Sequence, residues 1–120
     1  MAEATEARPL AVTIVSLVLI ASGFAGIYSH RHHVMSAPTP ENVAIVIVGA
    51  LAIVGGACML RGSGWARWLG MLWIGFHVVI SIYHPWQQLA IHAVVFVIFA
   101  VALFHSTSNQ YFRAALTKIT

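Results

Sequence analysis

Four apolar runs, at about 9–28, 41–60, 65–83 and 86–105, fill most of this chain, and none has an Asp, Glu, Lys or Arg in its middle. Each is close to the 17–25 residues that a helix needs to cross the roughly 30 Å hydrocarbon core of a bilayer. The chain is 60% hydrophobic and 8% charged over 120 residues, too little charge to keep a soluble domain of this size in solution. The expected fold is all-α: a single integral membrane domain over 1–120, built as a four-transmembrane-helix antiparallel bundle. The flank 1–8 sets Glu3 and Glu6 against Arg8 alone, a poor signal-peptide start, so the first run is expected to stay as a helix.

Charge sets the expected orientation. With four spans, the N-terminus, the 61–64 connection and the C-terminal tail share one side, which holds Arg8, Arg61, Arg67, Arg113 and Lys118. The other side holds Arg31. The positive-inside rule then puts both termini in the cytoplasm, and the expected setting is the plasma (inner) membrane of a bacterium. Tyr28, Tyr83 and Trp86 mark the outer border, and Trp65, Trp68 and Tyr111 the inner one.

The boundaries carry recognisable chemistry. Arg8-Pro9 opens the first helix, and Thr39-Pro40-Glu41 supplies a cap, a first-turn proline and an acid for the second. Gly62-Ser63-Gly64 and His84-Pro85 are short enough to force antiparallel neighbours, with 29–40 read as an outer loop. Small residues, Ser16, Gly23 and Gly26 on the first helix and Gly49, Ala52 and Gly56 on the second, suit close helix packing in lipid. Past His105 the chain turns polar, and Phe112, Ala115, Leu116 and Ile119 then recur on one helical stripe. That pattern predicts a short C-terminal amphipathic interfacial helix over about 109–119, lying on the cytoplasmic membrane surface.

Several function classes lack their residues. No carboxylate lies in the middle of an apolar run, inside the expected membrane core, which removes carboxylate-based proton coupling. There is no Ser/His/Asp set, zinc-hydrolase helix motif or Gly-rich phosphate loop, and Cys58 is near the wrong end of the bundle from the histidines to act as their nucleophile. No enzymatic activity is expected. The net charge of +3 comes from a few residues flanking membrane helices, so nucleic acid is not an expected partner.

The remaining chemistry is in seven histidines. His30, His32 and His33 sit between the first two runs, with Met35 close by, and His84 should lie on the same outer surface. Together these imidazoles are candidate ligands for copper or zinc, or a solvated, proton-responsive surface. His77 and His92 flank the 84–85 turn at nearly equal distance, which places them at one depth inside the membrane. Ser81 and Gln88 extend them into a polar ladder toward His84. Intramembrane polar groups are expensive and mark functional candidates. His77 and His92 are candidate cofactor-binding residues for haem or quinone, or a hydrogen-bonded pair that joins two helices. A haem between them in one chain conflicts with the tight turn two helical turns away. The expectation is a small non-catalytic accessory or interaction subunit of a larger membrane complex, meeting lipid, a membrane-protein partner or further copies of itself. The alternative is a metal-, haem- or quinone-binding membrane protein.

Overall fold

The computed structural model describes residues 8–119, with side chains as far as Ala114. Five helices follow one another: α1 (Leu10–Ser36), α2 (Pro40–Leu60), α3 (Trp65–Ser81), α4 (Trp86–Phe104) and α5 (Ser106–Ile119). The described residues contain no strand. Three of these helices, α1, α2 and α4, are long and apolar enough to cross a membrane, where four crossings were expected. The difference lies in α3. It stops at Ser81, two residues before the expected end, and its 17 residues span about 25 Å.

The second departure from the sequence reading is at 29–36. No loop begins at Ser29; α1 runs on through the histidines to Ser36. This stretch contains neither Gly nor Pro, and its side chains bond back to the turn before them. His30 Nδ1 lies 2.9 Å from the Gly26 carbonyl, and Ser36 donates to the His32 carbonyl at 2.6 Å. Arg31 donates to the Tyr28 carbonyl and lies over its ring, 3.8 Å from the centroid. At 27 residues α1 is about 40 Å long, so its last turns overshoot the hydrocarbon core or are taken up by tilt.

The caps follow the sequence. Thr39 accepts from the Asn42 amide, with Pro40 in the first turn and Glu41 beside it. Gly62 adopts φ 87°, and the Gly62 and Ser63 amides return to the Met59 and Cys58 carbonyls. This paired arrangement ends α2 and needs a residue without a Cβ at Gly62.

Packing is tightest between α1 and α2. On α2 the buried positions Gly49, Ala52, Gly56 and Met59 recur at intervals of three and four, as do Val12, Ser16, Leu19 and Gly23 on α1. A Cβ added to Gly56 would stand 2.6 Å from the Ser16 carbonyl oxygen, and one on Gly49 would stand 2.8 Å from Ile27 Cγ1. The two backbones meet with nothing between them, the close approach that small residues permit in lipid. Gly70 of α3 then lets Leu19, Met59 and Leu103 converge, so that each of α1–α4 gives one residue to a single layer. α4 buries only Phe99 and Leu103 among the described residues, and the rest of its surface is partly or fully open.

α5 closes one end of the bundle. It starts at Ser106, three residues before the expected 109, and Ser108, Tyr111 and Phe112 are buried. The Tyr111 hydroxyl donates to the Leu60 carbonyl at 2.9 Å, and Arg8 reaches the same oxygen at 3.0 Å. Asn109 donates to the Phe104 carbonyl, and Ser108 to that of Ala102. These side chains satisfy carbonyls that the ends of α2 and α4 leave without an intrahelical partner. The expected lipid-facing stripe is therefore corrected at Phe112, which packs on protein. Side chains of Ala115, Leu116 and Ile119 lie outside the described residues.

Candidate functional site

The polar ladder expected between the third and fourth runs forms at its inner rungs. α3 and α4 are joined by the turn at 82–85, and that hairpin sets His77 and His92 against each other. Their ring centroids are 5.8 Å apart, with planes 26° from parallel. Trp73, one turn before His77, lies against its ring at 4.2 Å, and Phe76 meets it edge-on at 5.8 Å.

Ser81 links the two helices. It is fully buried, donates its hydroxyl hydrogen to the His77 carbonyl at 2.7 Å, and lies 2.9 Å from His92 Nδ1. His92 Nδ1 also lies 2.8 Å from the Gln88 carbonyl, and His77 Nδ1 lies 2.8 Å from the Trp73 carbonyl. A carbonyl oxygen only accepts, so both imidazoles carry their hydrogen on Nδ1. The His92 N–H is shared between the Gln88 carbonyl and the Ser81 hydroxyl.

This tautomer decides what the pair can do. Each Nε2 is left as a lone-pair acceptor, and neither has a hydrogen-bond partner among the described residues. Neither is sealed inside, because Ser16 Oγ is the one fully buried, unpartnered side-chain polar atom among the described residues. An acceptor pair suits a metal ion or an N–H or O–H donor, and it does not donate to a quinone carbonyl. The Ser81 bridge holds α3 directly to α4, at the His92 ring itself and one turn from His77. It leaves no opening for a haem plane between His77 and His92 of one chain.

The outer rungs do not join. Gln88 contributes its main-chain carbonyl rather than its side chain. His84 is exposed in the turn, where its amide donates to the Ser81 carbonyl. His30 and His33 lie on one face of α1, centroids 6.1 Å apart, while His32 is turned away by the helix and exposed. Among the described residues, no three His, Cys, Asp or Glu side chains gather as a metal would require. The four outer imidazoles do not converge because the helix runs through 30–33 and spreads them around its circumference.

Sequence reasoning missed the wall that Trp73 makes on His77 and the bonds from each Nδ1 to its own helix. The signal was available as spacing: Trp73 and Gln88 each precede a histidine by four residues. Beside the pair's helices, a groove of about 570 Å³ is lined by Trp68, Met71, Leu72, Phe96, Ala100 and Phe104. Compared with protein-family models, curated proteins and solved structures, the chain matches none.

Proposed function

We propose that this chain is a non-catalytic accessory subunit of a larger membrane complex, and that the α3–α4 face is where it meets its partner. The observation that carries this reading is the pair of unpartnered Nε2 acceptors on an otherwise apolar hairpin. In lipid such acceptors go unmatched, whereas a donor on a neighbouring helix satisfies them. The exposed face of α4 and the apolar groove beside Phe96 give that helix a surface to pack on.

In this reading α3 is a fourth crossing, shortened at Ser81, and both termini are cytoplasmic in a bacterial inner membrane. Two features support the arrangement. Arg8, the α2–α3 turn and α5 meet at one end of the bundle through Leu60, and Arg67 reaches Asn109 there. Arg31 lies at the far end of α1.

The test is photo-crosslinking in cells from Ile91 and Val94, both well exposed on α4. The proposal expects one discrete polypeptide adduct of constant mass. Lipid adducts alone would contradict it. A second reading rests on the same acceptors: His77 and His92 as two ligands of a copper or zinc ion, completed from outside this chain. An ion's mass on the intact protein, lost in His77→Ala, distinguishes it.

A further inference from the structure

A half-enclosed cavity of about 480 Å³ opens between the 62–64 turn and α5, and its walls include Gly64, Trp65, Arg67, Asn109, Phe112 and Arg113. We propose that it binds a phosphate group, that of an anionic phospholipid headgroup at the membrane surface. The inference needs the bundle to sit in a bilayer and is independent of the accessory role.

Arg67 carries the argument. Its Nε donates to the Gly64 carbonyl at 3.3 Å, and its Nη1 donates to the Leu103 carbonyl at 3.3 Å and to Asn109 Oδ1 at 2.5 Å. The guanidinium also lies over the Phe104 and Phe112 rings, 4.8 and 4.7 Å from their centroids. These contacts fix its plane and leave Nη2 without a partner among the described residues. Every partner of this half-buried cation is neutral. Glu41 is the only carboxylate side chain among the described residues, and it lies in the first turn of α2, at the opposite end of that helix from the 62–64 turn. A guanidinium held in place with both Nη2 hydrogens free is a charged donor for an anionic oxygen entering the cavity.

The surroundings match. Arg113 brings a second positive charge to the same cavity. Gly64 and Trp65, whose main-chain N–H groups have no partner among the described residues, form part of the wall. Gly64 has φ −64° and ψ −34°, a conformation any residue adopts, so its backbone does not require glycine. A Cβ there would stand 3.7 Å from Arg67 Nη2, which means a side chain at 64 would grow into the cavity. Trp65, in the cavity wall, is 58% exposed. Such rings sit at headgroup level, which favours a lipid phosphate over a dissolved one.

The experiment is native mass spectrometry of the full-length protein with phosphatidylglycerol or phosphatidylcholine added, alongside thermal unfolding with millimolar inorganic phosphate. The wild type should retain one phosphatidylglycerol in preference to phosphatidylcholine. Arg113→Gln, which breaks no contact made by Arg67, should lower that retention about fivefold. Gly64→Leu should abolish it while leaving the helices intact by circular dichroism. If inorganic phosphate alone stabilises the wild type and not Gly64→Leu, with no lipid preference, the phosphate site stands and its lipid source is overturned. If neither probe separates the wild type from Gly64→Leu, the site itself is overturned.

Discussion

The Ser81 hydroxyl lies 2.9 Å from His92 Nδ1 and ties α3 to α4 inside an apolar hairpin. The same hydroxyl donates to the His77 carbonyl and so accepts from His92 Nδ1, while His77 Nδ1 is held by the Trp73 carbonyl; both rings are anchored through Nδ1, which leaves each Nε2 as an acceptor.

Two buried serines should therefore respond in opposite ways. Ser81→Ala removes an interhelical bond and should cost about 0.5–2 kcal/mol of unfolding free energy in detergent. Ser16 is equally buried, but its hydroxyl has no partner among the described residues. Ser16→Ala should be neutral, or stabilising by up to about 1 kcal/mol, because it removes an unsatisfied group. Equilibrium unfolding of the two variants in parallel checks the contrast.

The α1–α2 contact gives a matched pair of glycines. A Cβ on Gly23 would overlap the Gly49 carbonyl oxygen, while one on Gly26 meets no atom within 4 Å. Gly23→Ala should destabilise the bundle by about 1–3 kcal/mol, and Gly26→Ala should leave its melting temperature unchanged.

The apolar runs were legible because lipid demands helices of a certain length, and Thr39 and Gly62 ended or began them as their chemistry requires. The equal depth of His77 and His92 followed from the turn between them. Three things were not legible. Whether 29–36 continues a helix depends on bonds such as His30 to Gly26, which composition does not reveal. An amphipathic stripe through Phe112 reads the same whether lipid or protein covers it. The direction of each Nε2 depends on which carbonyl claims Nδ1, and that is a matter of rotamer rather than spacing.

Closure by α5 should be measurable. Tyr111→Phe removes the bond to the Leu60 carbonyl without changing ring volume, and should cost about 0.5–1.5 kcal/mol. Amides of α5 should then exchange with deuterium faster than in the wild type, while those of α1 stay protected.

The proposed topology can be tested at the turns. In a Cys58→Ser background, Ser63→Cys and Thr107→Cys should react with a membrane-impermeant maleimide from the cytoplasmic side. Ser36→Cys and His84→Cys should react from the opposite side. Labelling of Ser63→Cys and His84→Cys from one side would show that α3 does not cross.

If the His77 and His92 acceptors face a partner, that partner should leave the membrane together with this chain. Native mass spectrometry of the protein, extracted gently from its own membranes, tests it most directly. This chain should be found bound to another polypeptide at fixed stoichiometry, with the complex lost in a His77→Leu/His92→Leu variant that still folds. A bare bundle, or a complex indifferent to that double substitution, would contradict it.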